Sequence, residues 1–230
     1  MKKVFLGIIL VLIVGCSKEG SSEDSLKDVD GNVYTSITIG KQTWYKENLN
    51  VSKYSDGTII PEVSDPSEWS TLTTGAWSYL DYDSSNGKKI GKLYNWYAVA
   101  GIFDTASLTD MSIRKKLAPV GNHIPTDAEW TTMINSLGSN AGSKMKESGT
   151  NYWIDTDTDV TNSSLFTGLP GGMCIKKGGF YFAGEFGYWW TSTSINVLTA
   201  WNRSLGYNSP YACRSYDDKN YGFSVRFIKD

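Results

Sequence analysis

The residues of this chain whose types and spacing could do chemistry are few: two of its three cysteines, its one histidine, a run of alternating aspartates, and rings interleaved with arginine. In an exported, oxidising setting Cys174 and Cys213 could pair, closing a loop of about 40 residues and adding about 3 to 4 kcal/mol on the chain-entropy model. Two separate thiols are the alternative, because a bridge needs a short Cα separation that spacing alone does not supply. His123 has no second histidine to join it in a metal cluster or an acid–base pair. It stands just before a helix signal, so a hydrogen-bonded packing role is expected rather than catalysis. Asp155, Asp157 and Asp159 alternate like the first ligands of a calcium loop, but Val160 replaces the turn glycine and Phe166 the closing glutamate, which leaves a solvated acidic loop as the expectation. No catalytic residue, metal site or cofactor is assigned. Trp190, Trp201, Tyr207 and Tyr211, with Arg203 and Arg214 as polar partners, are the candidate ligand-binding set, since exposed rings stack on sugar faces and peptide side chains. Packing of those rings into a core is the competing expectation. If Trp189 and Trp190 share a strand they point to opposite faces, and at most one of them is free.

Residues before Asp28 carry a different message. Lys2 and Lys3 precede an apolar run from Val4 to Val14, which is signal-peptide anatomy and too short for a stable span of about 20 residues. Leu12-Ile13-Val14-Gly15-Cys16 resembles the lipobox of bacterial lipoproteins, with Gly15 as the small residue before the cysteine that is lipidated. Residues 1–15 are thus expected to be a lipoprotein signal peptide, with Cys16 the lipidated first residue of the mature chain. Two or three acyl chains would hold it at a membrane, each buried methylene contributing about 0.8 kcal/mol. Residues 16–27 are polar and without apolar periodicity, a flexible tether reaching roughly 20 Å. Ser17 resembles the residue that follows the cysteine in outer-membrane lipoproteins. Glu19, Glu23 and Asp24 suit an acidic surface-export signal, which Lys18 interrupts.

Residues 28–230 read as one domain, which the length allows. Basic residues number 22 and acidic ones 24, and loss of the leader takes two lysines with it, so nothing resembles a nucleic-acid footprint. Nine Trp, fourteen Tyr and twenty-three Gly favour a loop-rich α+β fold packed with large rings. Val33, Tyr34, Ile37 and Ile39 predict a strand before Gly40, and Trp44 a second. Leu93 to Ala100 is apolar long enough to predict a buried helix. Thr126 and Glu129 form a capping box ahead of Trp130, Met133, Ile134 and Leu137 at helical spacing, with Gly138 as the stop. After Gly142 the sequence predicts short strand-like pieces at 151–154, 165–173, 180–182, 189–193, 200–205 and 223–228.

The run Ala118-Pro119-Val120-Gly121-Asn122-His123-Ile124-Pro125-Thr126-Asp127-Ala128-Glu129-Trp130 resembles the central motif of the Fibrobacter succinogenes major paralogous domain. Further pieces agree in order: Asp30-Gly31-Asn32 through Gln42-Thr43-Trp44, Glu47-Asn48-Leu49, Tyr94-Asn95-Trp96-Tyr97, Leu169-Pro170-Gly171-Gly172, Gly187-Tyr188-Trp189-Trp190-Thr191-Ser192 and Gly222-Phe223-Ser224-Val225-Arg226. The resemblance implies a fold distantly similar to the C-type-lectin-like scaffold of formylglycine-generating enzymes, with two short helices, a small twisted antiparallel sheet and long irregular loops. It implies secreted proteins and lipoproteins of no settled activity. Ala118 and Phe227 stand where the family usually has cysteines, as if a disulfide were missing and Phe227 filled its volume, and Asn122 replaces the motif's tryptophan. The copper-binding cysteines of formylglycine-generating enzymes are closely spaced, unlike Cys174 and Cys213. Trp201-Asn202-Arg203 puts a cation where calcium-dependent lectins have a carboxylate.

Three functions follow as expectations. The first is a non-enzymatic binding module of the cell envelope, membrane-anchored through its lipid, taking a glycan or a protein ligand. The second is an enzyme related to the formylglycine-generating oxidases. The third is a structural envelope protein with no small ligand.

Overall fold

The computed structural model describes residues 25–149, 151–154 and 159–230. The leader, Cys16, the tether to residue 24, and Asp155 and Asp157 lie outside the described residues. Among those described, no helix is long and apolar enough to cross a membrane.

The strands are β1 (Ser25–Lys27), β2 (Val33–Ile39), β3 (Gln42–Tyr45), β4 (Trp77–Ser78), β5 (Leu93–Tyr94), β6 (Asn122–His123), β7 (Gly171–Cys174), β8 (Phe180–Ala183), β9 (Phe186–Ser194), β10 (Thr199–Gly206), β11 (Ala212–Asp218) and β12 (Ile228–Lys229). The helices are α1 (Pro66–Ser70), α2 (Gly87–Ile90), α3 (Trp96–Val99), α4 (Thr105–Thr109), α5 (Asp127–Leu137) and α6 (Ala141–Met145). An antiparallel sheet runs β1-β2-β3-β12-β6, a second runs β11-β10-β9-β7-β8 with β7 and β9 parallel, and β4 pairs with β5. The class is α+β. Among the described residues two five-stranded sheets stand in place of the single small sheet expected, and six α-helices with three short 3-10 helices in place of two short helices, α5 alone exceeding five residues.

Local chemistry accounts for the elements that frame the site. Ile37 and Ile39 are buried on one side of β2 and Tyr34 on the other, and the chain turns back at Gly40, whose φ of +62° suits glycine. A Cβ on Gly40 would also lie 2.9 Å from Ser136, where α5 crosses the turn. α5 begins with the expected capping box: Thr126 accepts from the Glu129 amide, and the Glu129 carboxylate accepts from the Thr126 amide at 2.7 Å. Its Trp130 and Met133 are buried against Trp44, Phe166 and Trp189, and Gly138 ends it.

Three expectations change. Leu93 to Ala100 is not one helix, because Asn95 caps a single turn with its side chain while Tyr94 and Phe223 exchange backbone hydrogen bonds beside it. Ser25–Lys27, expected as tether, pairs with Val33–Thr35, and Leu26 packs against the core. The segment expected as a strand-like piece at 223–228 is buried at every residue. It runs from bridges with Tyr94 and Trp189 to Ile228, which pairs with Trp44 on one side and His123 on the other. This segment therefore ties one sheet to the other. Its Arg226 is fully buried and donates to Asn48 Oδ1 at 2.6 Å and to the carbonyls of Tyr45, Phe166 and Thr167. Burial pushes its pKa down to about 9.

Candidate ligand-binding site

The β10–β11 ribbon carries most of the candidate residues, and strand geometry sorts them. Trp201 lies opposite Tyr216 and Arg203 opposite Arg214, so these four share one face of the ribbon, that toward α5. Asp127, in the first turn of α5, draws both guanidinium groups together. Arg203 Nη2 donates to Asp127 Oδ1 at 2.6 Å, to the Asp127 carbonyl at 2.9 Å and to Thr131 Oγ1 at 2.7 Å. Arg214 donates through Nε at 3.0 Å and Nη2 at 2.8 Å to Asp127 Oδ2. One carboxylate between two guanidinium groups leaves a net positive charge. Arg203 is buried, and that desolvation lowers its pKa against the pull of Asp127.

The outer edge of this cluster is open. The Arg214 guanidinium lies 3.3 Å from the centroid of the Trp201 ring, and Tyr216 meets Trp201 edge-on at 5.8 Å and 87°. Tyr216 is 59% exposed. The result is a half-buried indole and an open phenol ring beside a planar guanidinium that is fixed in place by its hydrogen bonds to Asp127 of α5. Such a surface can stack on a flat ligand face and donate hydrogen bonds at its rim.

The family model of the Fibrobacter succinogenes major domain matches residues 37–229. The chain belongs to this family. Comparison with curated proteins and with solved structures gives no match. The span matched to the Fibrobacter succinogenes major domain includes the whole ribbon, the capping motif before α5 and the connecting segment 223–228. Ala118 and Phe227 fall within it and share one apolar cluster, where Phe227 stacks on Tyr45 at 4.3 Å and meets Tyr34 edge-on.

The other candidates are not brought to this place. Trp190 is fully buried on the opposite side of the sheet from Trp189, its Nε1 donating to the Tyr94 carbonyl at 2.9 Å and its ring 4.3 Å from Phe223. It is a core residue, because strand alternation sends both tryptophans into packed layers. Tyr207 is half-buried against the cluster around α5. Tyr211 is exposed at the ribbon's turn, roughly 17 Å along the strand from Tyr216. That turn is held from within: Lys146 Nζ donates to the carbonyls of Gly206, Tyr207 and Ser209 at 3.0 to 3.1 Å.

Cys174 and Cys213 are free thiols. They sit on β7 and β11, three strand spacings apart in one sheet, roughly 14 Å and beyond the reach of a disulfide or a shared copper ion. Burial raises the Cys174 pKa to about 12, which keeps it a thiol, while Cys213 is exposed. His123 has both ring nitrogens engaged, Nδ1 with Asp230 at 2.7 Å and Nε2 with Glu129 at 2.9 Å. Asp127, Tyr216 and Lys146 were not among the residues expected from sequence. Asp127 carried a signal, a carboxylate in the first turn of a capped helix, but nothing local told it from an ordinary dipole-stabilising residue.

Proposed function

We propose that this chain is an exported lipoprotein, held to the outer membrane through Cys16, whose domain is a non-enzymatic glycan-binding module with a C-type-lectin-like arrangement. The observation that carries the reading is the open, rigid set of Tyr216, Trp201 and Arg214. A pyranose ring stacks on the exposed phenol, and its hydroxyls accept from Arg214 Nη1, which has no partner among the described residues. Asp127 and the Arg203 beneath it keep the guanidinium from collapsing onto other acceptors, so little side-chain entropy is lost on binding. Peptide recognition and a purely structural role in the envelope are the other readings, and no specific feature favours either.

A glycan panel screened with the purified chain, followed by calorimetry on the best ligand, tests this. Tyr216→Ala and Arg214→Ala should each weaken binding at least tenfold without lowering the melting temperature appreciably. If no glycan binds, or both variants bind as the parent does, the assignment fails. Mass spectrometry of the mature N-terminus tests the anchor separately, an unmodified first residue being the result against it.

A further inference from the structure

A second site shares no residue with the ribbon, and its chemistry differs. A cleft of about 320 Å³ opens between the β2–β3 hairpin, the residues that follow it, and α2. Lys46 lines one wall, and Lys88 and Lys89 of α2 line the other. None of the three has an ion-pair partner among the described residues.

The carboxylates nearby are already engaged. Glu47 lines the cleft as well and accepts from the amide and hydroxyl of Thr35 at 2.7 and 3.0 Å, neutral donors that leave one negative charge beside the three lysines. Asp28 takes the amide and side chain of Asn32 and the hydroxyl of Tyr34, and Asp30 pairs with Lys53 at 3.0 Å. Two more cations lie behind the floor. Lys92 donates to the Asn50 carbonyl at 2.7 Å and Arg226 to the Asn48 side chain at 2.6 Å, and both asparagines line the cleft. A chain of formal charge −2 thus concentrates positive potential in one concave place, where low-dielectric walls strengthen it.

Two details point to the ligand. Asn50 lines the cleft, and its Oδ1, shut off from solvent in the ligand-free fold, accepts no hydrogen bond, so a ligand hydroxyl satisfies it once the amide turns toward the cleft. Gly91, with φ of +81°, brings the end of α2 so close that a Cβ would lie 2.8 Å from the Leu49 carbonyl. A side chain there would push Lys88 and Lys89 away from the cleft. The volume is at the low end for small-molecule sites, roughly 300 to 1,000 Å³, and suits one ring with its substituent rather than a chain.

We propose that this cleft binds a small acidic sugar, a hexose bearing a carboxylate or phosphoryl group. The lysines hold the anionic group, and Asn50 accepts from a ring hydroxyl. The site is independent of the aromatic ribbon and stands whether or not that ribbon binds glycan.

Calorimetry on the purified full chain with glucuronate, glucose 6-phosphate, glucose and inorganic phosphate tests it, with phosphatidylglycerol vesicles as the arm for a lipid head group. The acidic sugars should bind saturably, glucose at least tenfold more weakly, and added salt should weaken the binding. Lys88→Gln with Lys89→Gln, both exposed and so neutral to folding, should reduce affinity at least tenfold. Lys46→Gln, on the facing wall, should do so independently. The proposal is overturned if no acidic sugar binds, if glucose or bare phosphate binds as well as its acidic hexose counterpart, if only the vesicles bind, or if the lysine variants bind like the parent.

Discussion

Replacing Asp127 with alanine should destabilise the protein by about 3 to 5 kcal/mol, because it strands a buried charge. The Arg203 side chain is 6% exposed and that of Asp127 14%, so their pairing lies largely out of solvent. Arg203 would keep only its bonds to Thr131 and to a backbone carbonyl, both uncharged. Arg214 adds little, since its side chain is 44% exposed and surface pairs contribute under about 1 kcal/mol. Loss of a carboxylate from the first turn of α5 adds about 0.3 to 1 kcal/mol. For a domain of this size the melting temperature should fall by about 6 to 20 °C. Urea unfolding at neutral pH measures the change directly, the midpoint shifting while the slope stays constant. The double variant Asp127→Ala with Arg203→Met should recover much of the loss, because it removes the stranded charge and leaves an apolar side chain of similar reach. If Asp127→Ala costs less than about 1 kcal/mol, or if the double variant is no more stable than the single, Arg203 does not depend on this carboxylate.

Three further outcomes are expected. Burial works against the charged form of His123, but its hydrogen bonds to Asp230 and Glu129 outweigh this and raise its pKa above 6.5. The stability it supplies is therefore complete below about pH 6.5 and is lost as pH rises through the raised folded value. Urea midpoints measured from pH 5.5 to 9 should fall across that window, and in His123→Gln this contribution to the fall should be absent. With Cys16 replaced by serine, a disulfide-forming thiol reagent should label Cys213 in the native protein and Cys174 only after unfolding. Prompt labelling of both or of neither would contradict the arrangement. Trp190→Ala should cost about 3 to 5 kcal/mol as a core truncation, whereas Tyr216→Ala should stay within about 0.5 kcal/mol in urea unfolding.

Legibility in the sequence divided along the range of the interactions. The helix over 127–137 was readable because its cap, its apolar spacing and its stop glycine all act within one turn of the residues concerned. The β2–β3 hairpin was readable for the same reason, through Ile37, Ile39 and Gly40. Leu93 to Ala100 misled because an apolar run has no period that separates a helix from a strand joined to a turn, and the decision rests on Asn95 and on Phe223 far along the chain. β11 was missed because Ala212–Asp218 is a polar edge strand, exposed on both faces over Cys213 to Tyr216. The candidate rings could not be sorted into core and surface, since Trp190 and Trp201 differ in which layer covers them and not in type.

By itself the sequence determined the family, through motifs spread over nearly the whole domain, along with the α+β class and the capped helix. Only the tertiary structure decided that Cys174 and Cys213 stand apart, that Trp190 is covered while Tyr216 is open, and that Asp127 reaches across about 80 residues to hold Arg203 and Arg214. The physical reason is that caps, turns and periodicity are set by backbone hydrogen bonds and side chains a few residues apart. Burial and ion pairing depend on which strands become neighbours, and strand order is fixed by contacts that local sequence does not contain.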